Sequence, residues 1–167
     1  MIRFKQPNKR MLTIALTMIV VGVFGLGFGI YQAHSSQAEV GDSTPNFTAM
    51  LPTNESIDQL GGWQKLTPPN SDPIFVYTDS IDGVSVNISQ QRLPAKFRAN
   101  TSQQMAELAR SYNATNKIDV DGTTVYIGAS AKGPQSVLFT KNDVLILIKS
   151  WATIENSSWV AYVKTLE

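Results

Sequence analysis

The chain has no cysteine and one histidine. Without cysteine there is no disulfide scaffold, no thiolate-ligated zinc or iron–sulfur site, no thiol nucleophile and no lipid-modified cysteine anchor. The lone His34 lies in a small, polar, proline-containing stretch. Such a stretch offers no fixed partner to orient a catalytic imidazole, so a Ser–His–Asp triad and a poly-histidine metal site are both excluded. Net charge is +1 over 167 residues, which supplies no global attraction for nucleic acid. No glycine-rich phosphate loop is present: Ala131-Lys132-Gly133-Pro134 has neither Walker-type nor dinucleotide-binding spacing.

What the sequence does contain is unevenly placed. Residues 1–10 carry Arg3, Lys5, Lys9 and Arg10 and no acid, and Met11 to Tyr31 carry no charge at all. As a helix these 21 residues span about 32 Å at ~1.5 Å per residue, which matches a hydrocarbon core of about 30 Å. A helix also satisfies its own backbone in lipid. The expectation is a membrane anchor running from Met11 to Tyr31. The basic start is retained in the cytoplasm and everything after Tyr31 lies outside. A cleavable signal ending near Ala38, after Ser36-Gln37, is the competing reading, and its apolar run is long for that purpose. Both readings export the rest of the chain. A pilin stem is excluded, because Arg10 precedes the run and no glutamate follows inside it. Gly25 and Gly29 form a GxxxG, the spacing that lets two membrane helices approach and form a weak homodimer.

Residues 32–46 are small and polar and read as a flexible linker with roughly 20 Å of mean reach. Residues 47–167 read as one α+β domain: an antiparallel meandering sheet with about two helices packed on one face. Phe47–Leu51 is expected as a first strand, stopped by Pro52, and Ser56–Leu60 as one helical turn. Ile74–Ser80, the Asp82-Gly83 turn and the alternation Val84, Val86, Ile88 predict a hairpin. Thr101 to Asn113 predicts a helix with Thr101 and Gln104 as a capping box and Met105, Leu108, Ala109 and Tyr112 on one face. Two more hairpins are expected around Asp121-Gly122 and Asn142-Asp143. Val144–Ile148 is apolar on both faces and predicts a central strand covered on both sides. A last helix is expected from about Asn156 to Leu166, capped by Asn156 or Ser157, with Trp159, Tyr162, Val163 and Leu166 inward.

The stretch Phe47-x-x-x-Leu51-Pro52, Phe75-x-Tyr77, Asp82-Gly83 and Ile88-x-Gln90, followed by Val125-Tyr126-Ile127 and the hairpin ending in Val144–Ile148, resembles a bacterial extracytoplasmic domain family of unknown function. That family occurs on anti-sigma-factor-like and sporulation-related membrane proteins. The resemblance implies an export-side domain and carries no catalytic motif. With about ten residues ahead of the anchor, it does not imply a sigma-binding region.

Candidate chemistry is sparse. Asp119-x-Asp121-Gly122 and Asp79-x-x-Asp82-Gly83 resemble fragments of calcium loops. Thr124 and Ser130 stand where an EF-hand needs Gly and Glu, so both read as hairpin turns. Arg92, Lys96 and Arg98 with Phe97 form a basic, aromatic group able to touch an anionic surface, lipid headgroup or wall polymer. Trp63, Trp151 and Trp159 are expected in the core. Asn46, Asn54, Asn87, Asn100, Asn113 and Asn156 each begin an Asn-x-Ser/Thr triplet, a glycan acceptor in a eukaryotic secretory chain and incidental in a bacterial one. Ten of the 14 basic residues and all 13 acidic residues lie beyond position 31, a net of −3 there, which argues against nucleic acid.

The sequence therefore predicts a cell-membrane protein, single-pass with a cytoplasmic N-terminus. Its outer domain works by binding a protein or another envelope component, with no catalytic, cofactor or metal residues to name. An apolar-ligand carrier and an envelope-acting enzyme subunit using carboxylates or Ser/Lys are the alternatives.

Overall fold

The computed structural model describes residues 44–69, 71–129 and 134–167. The expected anchor at Met11–Tyr31, its Gly25–Gly29 contact and most of the linker lie outside the described residues. Among the described residues no helix is long and apolar enough to cross a membrane.

The described residues form seven strands and three helices. In order they are β1 (Gln64–Leu66), β2 (Ile74–Ile81), β3 (Val84–Arg92), α1 (Ala95–Arg98), α2 (Thr101–Ser111), β4 (Asn116–Val120), β5 (Thr123–Ala129), β6 (Gln135–Lys141), β7 (Val144–Ser150) and α3 (Asn156–Thr165). All seven strands join one antiparallel sheet in the order β1-β2-β3-β7-β6-β5-β4. Two meanders, β1 to β3 and β4 to β7, meet where β3 pairs with β7. The architecture is α+β, as the alternation of short strands predicts.

Three hairpins close through two-residue turns. Asp82-Gly83 (φ 51° and 77°), Asp121-Gly122 (51° and 82°) and Asn142-Asp143 (49° and 60°) all place both central residues in the left-handed region. That is the backbone whose twist matches paired strands, and Asn, Asp and Gly enter it most easily.

β7 is the middle strand of the seven. Its residues Val144 to Ile148 are all buried, because each face has its own cover. Val144, Ile146 and Ile148 join Val86, Ile88, Val137, Phe139, Val125 and Ile127 in a core closed by Trp159, Val163 and Leu166 of the C-terminal segment. On the other face, Tyr112 at the end of α2 lies over Lys149, and the carbonyl of Tyr112 crosses above Gly128 of β5. The helices therefore lie on opposite faces, which corrects the expectation of both on one face. The sequence argument for a doubly covered β7 already requires this arrangement.

Two local expectations are also corrected. Phe47–Leu51 is not a strand of the sheet. Leu51 instead exchanges backbone hydrogen bonds with Glu167 (3.0 and 2.9 Å), and Pro52 bridges Leu166. The C-terminal tail thus takes the role expected of a strand partner. The cap of α2 is Asn100, whose Oδ1 accepts the Gln103 N–H at 3.4 Å. Thr101 is already helical and its hydroxyl donates back to the Phe97 carbonyl at 2.9 Å. The cap of α3 is Glu155, one residue earlier than expected and without a side-chain hydrogen bond.

Candidate functional site

Strand alternation decides which polar side chains share a face. Reading across the sheet, Thr78 pairs with Asn87, Asn87 with Lys149, Lys149 with Ser136 and Ser136 with Gly128. These five positions form one row on the face that α2 covers. Two side-chain hydrogen bonds link neighbours within the row. The Thr78 hydroxyl donates to Asn87 Oδ1 at 3.1 Å, and Lys149 Nζ donates to Ser136 Oγ. The Tyr112 ring centroid lies 4.8 Å from Lys149 Nζ.

Lys149 is unusual for a strand lysine, since burial of its ammonium lowers its pKa below the ordinary lysine range. Its partners are a hydroxyl and a ring face, which stabilise the cation less than a carboxylate does. Two buried oxygens on this side of the sheet have no hydrogen-bond partner among the described residues: Ser89 Oγ, one alternation along β3 from Asn87, and the Tyr112 hydroxyl. Burial raises the Tyr112 pKa.

A lysine of depressed pKa hydrogen-bonded to a serine is the first requirement of a Ser–Lys nucleophile. The second requirement is an approachable hydroxyl facing convergent oxyanion donors. Ser136 is 8% exposed, and its oxygen already accepts the lysine proton. The row therefore acts first as an internal polar bridge that seats the end of α2 on the sheet.

The opposite face holds two buried glutamines that act as clamps. Gln90 binds the backbone of Met50. Gln135 Oε1 accepts both the Ile154 N–H at 2.7 Å and the Trp159 indole N–H at 3.1 Å. On that face Tyr162 also donates to Asp79 at 2.8 Å. Sequence reasoning missed Gln90, Gln135 and the Lys149–Ser136 pair. The available signal was position: Gln90 continues the apolar alternation Val84, Val86, Ile88, where a polar residue must bring a partner.

The basic group sits at the end of the sheet where the chain joins the fold. Arg92, the last residue of β3, donates to the Asn46 carbonyl at 2.7 Å. Lys96 and Arg98 lie on α1 and are exposed. Phe97 between them is 2% exposed and belongs to the core, so the aromatic part of the expected group is not available to a surface. Partial burial lowers the Lys96 pKa.

The acidic turns are occupied as hairpin chemistry. Asp119 Oδ1 accepts the Gly122 N–H at 3.1 Å, Asp121 pairs with Lys164 at 3.2 Å, and Asp79 accepts from Tyr162. Trp159 is fully buried, and Trp63 packs edge-on against Phe75 and Tyr77. Trp151 departs from expectation: it is 53% exposed, because β7 ends at Ser150 and the next residues turn outward towards α3. Of the glycan triplets, Asn87 is buried in the polar row and Asn100 caps α2.

Comparisons with protein-family models, with curated proteins and with solved structures find no match.

Proposed function

We propose that the chain is a single-pass membrane protein whose outer domain binds a protein of the cell envelope without turning it over. Support for the anchor is the uncharged run Met11–Tyr31 behind four basic residues. The observation that carries the binding role is Trp151. Among the described residues it is the large hydrophobic side chain left exposed, at 53%, while Trp159, Phe75, Phe97 and Phe139 are all buried. A rigid aromatic displayed beside exposed Ala152 and Thr153 has the character of an interface anchor.

Its position fits that role. The chain joins the fold near Arg92, which pairs with Val144 at one end of β7, and Trp151 follows Ser150 at the other. The seven residues of β7 put roughly 20 Å between those ends. On this reading Lys96 and Arg98, beside Arg92, supply the contact with an anionic surface, and Trp151 is displayed beyond the opposite end of β7.

The test is site-specific photo-crosslinking in intact cells, with the reporter at Trp151 and a control at the exposed Ser102 on α2. A defined envelope-protein adduct from position 151, absent from 102, supports the proposal. Equal or absent adducts at both positions contradict it.

The Lys149–Ser136 pair meets the first requirement of a second reading, an envelope-acting hydrolase, while the burial of Ser136 opposes it. A fluorophosphonate that labels Ser136, and no longer does so in Lys149→Met, would establish it.

A further inference from the structure

β4 is an edge of the sheet, with no strand on its outward side among the described residues. The Lys117 N–H is bonded to the side chain of its own neighbour, Asn116 Oδ1, at 2.9 Å, so it points away from β5. By the alternation of antiparallel ladders the N–H and C=O of Asp119 point the same way. At the opposite edge β1 has three residues, against five in β4. Short edges resist pairing and longer ones invite it.

The residues of β4 are self-complementary. Lys117 and Asp119 are both exposed and share one face, opposite Tyr126 and Thr124 of β5. Ile118 lies between them on the core-bearing face, partly buried. In an antiparallel pair of two β4 strands centred on Ile118, Lys117 of each copy faces Asp119 of the other, and Ile118 meets Ile118. Sliding the register by one pleat in either direction sets Lys117 against Lys117 or Asp119 against Asp119. Opposite charges directly across a pair stabilise it and like charges oppose it, so the charges select one register.

We propose that β4 is a homodimerisation edge, where a second copy of this chain pairs antiparallel about Ile118 and the two sheets become one. The outward groups of Lys117 and Asp119 make the hydrogen-bonded pairs, and Ile118 against Ile118 is the close, non-hydrogen-bonded pair. The symmetry is isologous, as in most homodimers. This surface is separate from Gly25 and Gly29 and goes beyond the binding role assigned to Trp151.

The chain has no cysteine, so Ile118→Cys introduces a sole thiol at the symmetry point, within the Cα separation that a disulfide needs. The full chain carrying it, purified in mild detergent, should give a disulfide-linked dimer on mild oxidation. Adding Lys117→Asp or Asp119→Lys makes both cross-strand pairs like-charged and should lower the yield about tenfold. Adding both together restores opposite charges and should restore the yield. Because Ile118 touches the core, the same charge series is also run without the cysteine, reading molecular mass by analytical ultracentrifugation. Loss with either reversal and recovery with the swap supports the edge dimer. A monomer throughout, a dimer insensitive to the reversals as one held by Gly25 and Gly29 would be, or no recovery with the swap would overturn it.

Discussion

Gln90 holds the backbone of Met50 from both sides: its Oε1 accepts the Met50 N–H at 2.9 Å and its Nε2 donates to the Met50 carbonyl at 2.6 Å. The Tyr77 hydroxyl donates a second bond to the same carbonyl at 3.2 Å. Residues 40 positions apart in sequence are thereby locked together in the core. Gln90→Ala leaves buried backbone groups unpaired and opens a cavity. It should lower unfolding free energy by about 2–4 kcal/mol, seen as a lower urea midpoint at unchanged slope.

Gly128→Ala should also destabilise. A Cβ there would lie 2.7 Å from the Tyr112 carbonyl and 2.9 Å from the Ala114 backbone. The clash is with main chain, which cannot rotate aside, so the loop that follows α2 must lift off β5. The expected loss is about 1–3 kcal/mol in the same denaturation assay.

Alkaline pH should unfold the domain through its tyrosines. Burial raises the pKa of Tyr77, Tyr112 and Tyr162. A phenol whose folded pKa is raised contributes stability that is complete below its unfolded value, about 10, and is lost as pH rises beyond it. Tyrosinate absorbance from these three should appear together with loss of the folded circular-dichroism signal, above about pH 10. Their ionisation in a still-folded domain would contradict the burial described.

Lys149 should act in the opposite sense below that range. Its folded pKa is lowered by burial, so the unfolded chain binds more protons between that value and the ordinary ~10.4. Stability therefore rises with pH across this window. Comparing wild type with Lys149→Met as pH rises towards ~10.4, the wild type should gain relative to the variant. Parallel curves would show that the ammonium is not desolvated.

Much of the sheet was legible in the sequence because strand period and turn chemistry are local. Asp82-Gly83, Asp121-Gly122 and Asn142-Asp143 mark all three two-residue hairpins, and the doubly apolar Val144–Ile148 marks the central strand. Features that depend on distant partners were not legible. Phe47–Leu51 has a strand's composition, yet it lies along the C-terminal tail at Leu166 and Glu167. Lys149 and Ser136 read as ordinary polar positions until β6 and β7 are set in register. Trp151 continues an apolar strand in sequence, and only the end of β7 at Ser150 turns it out to solvent.

The central claim is that an uncharged run holds the chain in a membrane with the folded domain outside. The cysteine-free background allows a direct measurement with a membrane-impermeant maleimide on intact cells, using single-cysteine variants Lys5→Cys and Ala152→Cys. The account predicts that Ala152→Cys is labelled at once and stays with the membrane pellet, while Lys5→Cys is labelled only after lysis. Labelling of Ala152→Cys only after lysis, or its recovery from the culture fluid, would contradict the account.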